Sequence, residues 1–227
     1  MVGSSAFEQQ APGCPLCAAP RTGVFAAAGG RVYYRCGRCR LTFVAPAERP
    51  SRATELATYR QHRNDPADPR YRAFLARLIE PLLGHLRPSM VGLDLGCGPG
   101  PAIRPMLAER GLEVIDYDPL FRPDRAALDR RYDFITCSEA IEHFFDPGGE
   151  LARVDRLLRP GGWLGVMLRM LTDDAGFARW WYRRDPTHVA FFRRETMAWI
   201  ARRFHWQATF PGPTVALFHK PAPAHQA

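Results

Sequence analysis

The chain predicts a doubly wound α/β domain behind a small metal-braced module, and three observations carry that expectation. Val91-Gly92-Leu93-Asp94-Leu95-Gly96-Cys97-Gly98-Pro99-Gly100 is a short apolar run ending in three glycines at alternate positions. A run of that length reads as a buried strand, and bare backbone at its end lets a nucleotide-like ligand approach closely. From there on, short apolar runs alternate with amphipathic stretches, the pattern of strands and helices laid in turn on one sheet. Ahead of it stand two Cys-x-x-Cys pairs, Cys14-Pro15-Leu16-Cys17 and Cys36-Gly37-Arg38-Cys39, with 18 residues between them.

At 227 residues, with 46% hydrophobic and 11% aromatic content, the chain can bury one full α/β core plus an appendage. No apolar run approaches the roughly 18 residues of a membrane span. Residues 1–10 lack a basic stretch followed by an apolar one, so the expectation is a cytoplasmic protein with no membrane partner. The net charge of +8 is uneven: residues 1–90 carry 13 Arg against 6 acids, and residues 91–227 carry 18 basic residues against 17 acids. A basic surplus in one module fits a polyanion such as RNA, and it fits a solvated surface equally. Four metal-bound thiolates would cancel part of it. Lys220 is the only lysine, so the preference for Arg runs through the whole chain.

The cysteine spacing is that of a four-thiolate zinc site, with Pro15 and Gly37 favouring a tight turn in each pair. Two disulfides are the rival use, against which the lack of a secretory signal argues. Four protein thiolates leave no open coordination position, so Cys14, Cys17, Cys36 and Cys39 have a structural role. In so short a segment the metal would supply the folding energy. Gly29-Gly30 marks a turn, and residues 31–35 a strand leading into the second pair. Such a module can also hold RNA or a partner protein, and spacing does not choose among these uses.

Ala45-Pro46-Ala47-Glu48-Arg49-Pro50-Ser51 is a proline-punctuated connector that bounds the zinc-ribbon module at residues 1–50. Residues 51–90 read as linker and pre-core helices. Ser51 caps a short helix reaching about His62, and residues 64–69 break it. Tyr71, Phe74, Leu75, Leu78, Leu82 and Leu86 then recur on one helix face, kinked or divided by Pro81.

Residues 91–220 form the main domain, with 221–227 as a tail. Residues 102–110 read as a helix whose N-terminus offers free N–H groups to the ligand, and Gly111 closes it. Residues 112–119 are the next strand. An acid about 20 residues past the glycines can bond both ribose hydroxyls of a nucleotide. Asp118 lies 22 positions after Gly96, just before Pro119, and is preferred to Asp116. A strand between 121 and 129 is hard to see. Residues 132–137 and 163–167 are strands, 150–158 and 193–204 helices, and 206–210 with 214–220 an antiparallel hairpin.

Ser138-Glu139-Ala140-Ile141-Glu142-His143-Phe144 directly follows one of these strands, and on a helix Glu139, Glu142 and His143 would share a face. Farther on comes an aromatic and basic section: Phe177, Trp180, Trp181, Tyr182, Arg183 and Arg184, then Asp185-Pro186-Thr187-His188. A histidine in either place can act as a base. Arginines among aromatics can also stack nucleic-acid bases, and every one of these groups can instead brace helix against sheet.

Asp94-x-Gly96-x-Gly98-x-Gly100, the acid Asp118, the Glu142-His143 pair and the Leu158-Arg159-Pro160-Gly161-Gly162 turn stand in one order. In this, residues 70–220 resemble the class I S-adenosylmethionine-dependent methyltransferases. The resemblance implies a seven-stranded, Rossmann-like doubly wound sheet with a reversed edge strand, and S-adenosyl-L-methionine as cofactor. It implies that Asp94, Gly96, Cys97, Gly98 and Gly100 form the cofactor loop, that Asp118 holds the ribose and that Tyr117 flanks the adenine. Ser138 and Glu139 would open the methyl-transfer pocket, and Tyr59, His62 and Asn64 would line its lid. Glu142, His143 and His188 are the catalytic candidates.

The Glu-x-x-Glu-His pattern further resembles the ubiquinone-biosynthesis O-methyltransferases, whose corresponding triad binds a divalent metal. That implies Glu139, Glu142 and His143 as ligands here, beside the readings as base or as helix brace. The expected function is methyl transfer to an unidentified acceptor, for which the aromatic section favours a small molecule. The alternatives are an RNA methyltransferase gripping phosphates through its basic zinc module, and a binding module without catalysis.

Overall fold

The computed structural model describes residues 11–61 and 64–223, and in it the chain builds two sheets. The first begins as an antiparallel meander of β1 (Gly23–Ala28), β2 (Arg31–Arg35) and β3 (Thr42–Val44). The β1–β2 turn needs two successive residues at positive φ, and Gly29 and Gly30 supply them at 62° and 77°. Each cysteine pair closes a knuckle of the same geometry. Ala18 N donates to Cys14 O and Arg40 N to Cys36 O, both at 3.0 Å, and Ala18 and Arg40 each take a left-handed conformation.

Two helices follow. α1 (Arg52–Tyr59) starts at Ser51, whose Oγ accepts from Thr54 N at 3.2 Å. It ends before His62, which lies outside the described residues. α2 (Pro69–Leu83) is capped by Asp68 and buries Leu75, Leu78, Ile79 and Leu82. Of the kink or division that the sequence suggests at Pro81, the division does not occur: α2 runs through it as one helix. Pro81 sits in the last turn, so the one N–H bond it forfeits and its crowding of the preceding turn disturb only the end of the helix.

The larger sheet is assembled from β4 (Val91–Leu95), α3 (Ile103–Ala108), β5 (Glu113–Tyr117), β6 (Tyr132–Ser138), α4 (Pro147–Leu157) and β7 (Leu158–Met167). After β8 (Ala190–Phe191) and α5 (Arg194–Phe204), the hairpin of β9 (Gln207–Gly212) and β10 (Val215–His219) completes it. Its strand order is β5-β4-β6-β7-β10-β9, with the first four parallel and the last two antiparallel. The doubly wound class and the reversed edge are as expected, but this sheet has six strands and not seven. Between β5 and β6 the chain makes a 3-10 turn, Arg125–Leu128. The reason is local. Asp118 Oδ1 accepts from Leu120 N (2.8 Å) and Phe121 N (3.0 Å), turning the chain back at once, and Pro119 and Pro123 have no N–H for a ladder.

The two sheets are not separate bodies. β8 belongs to the smaller one, pairing antiparallel with β3 in the order β1-β2-β3-β8. Cys14, Leu16, Cys36, Cys39, Leu41 and Phe43 lie in the same apolar cluster as Leu151, Phe192 and Met197. The connector at 45–51 therefore changes local structure without dividing the packing. Among the described residues, no helix is long and apolar enough to cross a membrane.

Candidate active site

The loop after β4 is shaped by backbone demands. Gly96 and Gly98 take φ of 79° and 66°, and a Cβ on Gly96 would lie 2.5 Å from Ala140 Cβ. Tyr117 O accepts from Gly96 N at 2.8 Å, and Asp118 Oδ2 accepts from Gly98 N at 3.1 Å. With Leu120 and Phe121 on its other oxygen, the Asp118 carboxylate thus ties the glycine loop to the turn after β5. Gly100 is crossed by the segment entering α2 so closely that a Cβ would fall 1.7 Å from Asn64 O.

Asp94 lies beneath this loop, 3% exposed, with Oδ1 accepting from Thr136 Oγ1 at 2.8 Å. Burial pushes its carboxyl up to about 7 despite the Thr136 bond, and Asp116 and Asp118 push in the same direction. An unfolded Asp loses its proton near pH 4. From there to about 7 the folded state keeps a proton that the unfolded state has lost, so stability falls as pH rises through this window. Asp94→Asn is therefore expected to raise the apo-protein's Tm at pH 8 and to have no such effect near pH 4. An equal shift at both pH values, in scanning calorimetry, would refute the assignment.

A cavity of about 690 Å³ extends from this loop. Gly96, Cys97, Gly98, Asp118, Ser138, Glu139, Glu142, His143 and His188 line it, as do Tyr59 and Asn64. Asp94, Gly100 and Tyr117 do not; the Tyr117 ring is buried in the core and only its carbonyl touches the loop. Asp116 faces away, against Arg104 at 3.5 Å. The sequence reading missed several walls. Arg52 and Glu55 of α1 line the cavity, and so do Tyr71 and Phe74, whose helical spacing suggested core. Phe121, Phe144 and Phe145 add apolar surface, and Trp181 stands 57% exposed at the site with Arg169 5.0 Å over its ring.

The segment after β6 is not the expected helix. Glu139 N still donates to Met167 O of β7 at 2.7 Å, which holds Glu139 at the strand end with φ of 46°. Only Ile141–His143 turn, as a 3-10 element, so Glu139 does not share a helix face with Glu142 and His143. Tyr182 joins the two acids instead: its Oη donates to Glu142 Oε1 at 2.5 Å and lies 3.3 Å from Glu139 Oε2. Burial pushes Glu139 up to about 7 and Glu142 well above the carboxylate range, the latter also through the neighbouring Glu139. Glu142 is fully buried, and its Oε2 has no hydrogen-bond partner among the described residues.

Two histidines meet beside these acids, with ring centroids 4.8 Å apart. His143 Nδ1 lies 3.0 Å from Thr187 O, and His188 Nδ1 lies 2.6 Å from Tyr182 O. A carbonyl oxygen only accepts, so each Nδ1 carries a proton. Asp185 Oδ2 stands 4.0 Å from His188 Nε2. Burial raises the Asp185 carboxyl, but two hydrogen bonds from Thr187 and the adjacent histidines outweigh it and hold it below its ordinary value. The trio that could hold a cation is Glu142, His143 and His188, with ligand atoms within 4.8 Å of one another. His188 takes the place that the sequence pattern implied for Glu139.

The four module cysteines converge as their spacing predicts. Cys14 Sγ is 3.4 Å from Cys39 Sγ, Cys17 Sγ is 3.5 Å from Cys36 Sγ, and all four sulfurs lie within 4.8 Å of one another. Thiolates at 2.3 Å around a tetrahedral Zn²⁺ would stand about 3.8 Å apart, so the set fits that ion. None of the four is in a disulfide. The hydrogen bond from Cys39 lowers the Cys14 thiol to about 5, while burial raises Cys17 to about 11.

Residues 61–209, about two thirds of the chain, match a family described as a methyltransferase domain. The ubiquinone biosynthesis O-methyltransferase of Thiobacillus denitrificans is 33% identical over 95 residues, 32% of this chain and 41% of that protein. The protein of the same name from Leptothrix cholodnii is 33% identical over 111 residues, 38% of this chain and 46% of that one. The matched part thus spans less than half the length of these curated relatives. Among solved structures, the 1,6-didemethyltoxoflavin-N1-methyltransferase of Burkholderia thailandensis, with bound 1,6-didemethyltoxoflavin and S-adenosylhomocysteine, shares the fold. Its TM-score is 0.51 at 17% identity, over 88% of this chain and 99% of that one. With the glycine loop, the sheet order and the family match in agreement, the chain belongs to the methyltransferase domain family.

Proposed function

We propose that this protein transfers the methyl group of S-adenosylmethionine to a hydroxyl-bearing small molecule. One observation carries the reading: a single cavity joins the glycine loop and Asp118 at one end to two adjacent histidines at the other, each ring set by a backbone carbonyl at Nδ1. Asp118, just after β5, keeps one acceptor position on Oδ2 beside its bond from Gly98 N and would take a ribose hydroxyl there, with the backbone of Gly96–Gly98 passing beside the cofactor. The sulfonium methyl is already activated, so alignment and exclusion of water supply most of the rate. As the acceptor oxygen attacks in line, the carbon–sulfur bond breaks and its electron pair stays on sulfur, leaving S-adenosylhomocysteine. The acceptor's proton passes to Nε2 of His188 or His143, and Asp185 favours the charged ring that results.

The lining speaks for a neutral or cationic acceptor. Glu55, Asp118 and Asp185 face the cavity against Arg52, while burial pushes the other two lining acids, Glu139 and Glu142, toward their neutral forms. A phosphate-rich acceptor such as RNA would meet repulsion there. A second reading is favoured by the orphaned Glu142 Oε2: a divalent cation held by Glu142, His143 and His188. Such an ion would act as a Lewis acid, lowering the pKa of a bound hydroxyl. The four thiolates would hold a structural Zn²⁺.

Calorimetry with S-adenosylhomocysteine tests the cofactor, and a labelled-methyl screen of cell extract split into RNA, protein and small-molecule fractions tests the acceptor. Label in the small-molecule fraction is the expected result. Label confined to RNA overturns the acceptor class, and no binding of S-adenosylhomocysteine overturns the whole reading. Gly100→Ala offers an independent check, because its Cβ cannot coexist with Asn64 O. The segment entering α2 must move away from the loop, and affinity for S-adenosylhomocysteine is expected to fall about tenfold or more, a loss of at least about 1.4 kcal/mol. An unaltered Kd would show that this crossing does not shape the cofactor site.

A further inference from the structure

The section that carries His188 has little structure of its own. Between β7 and α5 it makes two 3-10 turns, Phe177–Arg179 and Trp181–Arg184, and the two-residue β8. Its position must come from what packs on it, and the cysteine module supplies much of that packing. Val189, next to His188, is bonded on both sides: Val44 N of β3 donates to Val189 O at 3.0 Å, and Val189 N donates to Glu142 O at 2.9 Å. Phe43 and Thr42 pair with Ala190 and Phe191. Tyr33 of β2 packs edge-on against Phe177 and Phe191, with centroids at 4.8 and 5.7 Å.

The module also reaches the other histidine. Gly148, five positions after His143, donates its N–H to Pro15 O at 3.1 Å, inside the first knuckle. A Cβ on Gly148 would lie 2.7 Å from Leu16 O, so the knuckle sits directly on the start of α4. A third tie runs through charge. Arg35 of β2 pairs with Asp174 at 2.6 Å, and Asp174 also pairs with Arg193. Both knuckles draw their shape from the convergence of Cys14, Cys17, Cys36 and Cys39, which a metal would fix and four unliganded thiols would not. The glycine loop and Asp118, by contrast, are hydrogen-bonded to β5 and to the turn behind it.

We propose that the four-cysteine module is a positioning element of the methyl-transfer site, in which bound Zn²⁺ sets the placement of His188 and His143 through β3 and the first knuckle, and leaves the cofactor end unaffected. This rests on the functional reading above for what the histidines do, but their placement is measurable without turnover. Among the described residues, none of β3 or of the knuckles lines the cavity, so the module acts through the histidines and is not itself catalytic.

The test uses full-length, zinc-loaded protein labelled with ¹⁵N-histidine, the ring resonances being assigned by His143→Gln and His188→Gln. Val44→Pro removes the N–H that Val189 O accepts while keeping every cysteine. It is expected to retain one zinc per chain, to move the His188 and His143 ring signals away from the Nδ1–H tautomer pattern, and to keep the Kd for S-adenosylhomocysteine within about twofold. Stripping zinc with a chelator is expected to change the same two resonances at unchanged affinity. Histidine signals indifferent to both treatments would overturn the proposal. So would affinity for S-adenosylhomocysteine lost in step with those signals, which would make the module a general support of the fold. Failure of the unmodified protein to bind S-adenosylhomocysteine would instead sink the functional reading.

Discussion

Asp118→Ala is expected to weaken binding of S-adenosylhomocysteine by about one to two orders of magnitude, with the fold retained. The side chain is the knot between loop and turn, holding Gly98 N through one oxygen and Leu120 N and Phe121 N through the other. Charge-assisted hydrogen bonds contribute about 1.5–3 kcal/mol each, so losing the ribose contact weakens affinity by about 10–10²-fold. Asp118→Asn keeps the shape and one acceptor oxygen. It turns a donor toward Gly98 N or toward the turn, and its affinity is expected to fall between the other two. Calorimetry decides the matter, and an Asp118→Ala protein that binds as well as the parent would remove this residue from the cofactor site.

His188→Ala and His143→Ala are each expected to slow methyl transfer into the small-molecule fraction by about 10²–10⁴-fold, the usual worth of a positioned base. Affinity for S-adenosylhomocysteine is expected to be unchanged, because neither ring bonds to the glycine loop. The two variants need not be equal. Asp185 stands beside His188 Nε2, and the Glu142 carboxyl, its own pKa raised by burial, stands 4.0 Å from His143 Nε2. His188 is therefore the ring better supplied with negative charge for holding a proton, and its removal is expected to cost more. If labelled-methyl incorporation by both variants matches the parent, proton transfer is not what these rings do.

The glycine loop and the acid at the end of β5 were legible from sequence, because both depend on spacing within one βαβ unit and on φ values that few residues tolerate. The thiolate cluster was legible for the same reason, each knuckle being a local turn. What escaped the sequence is nonlocal. Nothing near Ala190 announces that two residues complete the sheet begun by Thr42, and nothing near Tyr182 marks it as the donor to Glu142, 40 positions earlier. The expected helix from Glu139 failed because a strand ladder reached one residue farther, to Met167 O, than helical periodicity can reveal. The seventh strand failed to a carboxylate that captured two N–H groups its ladder would have used. His188 entered the cation-competent trio through tertiary contact alone.

The pairing of β3 with β8 also bears on how the chain is made. Thr42 and its partner Phe191 are 149 positions apart, so at about 5–20 residues per second the ribosome exposes β3 roughly 7–30 s before β8 exists. Through that interval β3 is an open edge, Thr-Phe-Val, with unpaired N–H and C=O groups that any other strand could take. Filling the thiolate site on the nascent chain would order the knuckles early but could not close that edge. Maturation of this protein thus has its vulnerable period between synthesis of the module and synthesis of residues 190–191, when β8 closes the open edge of β3.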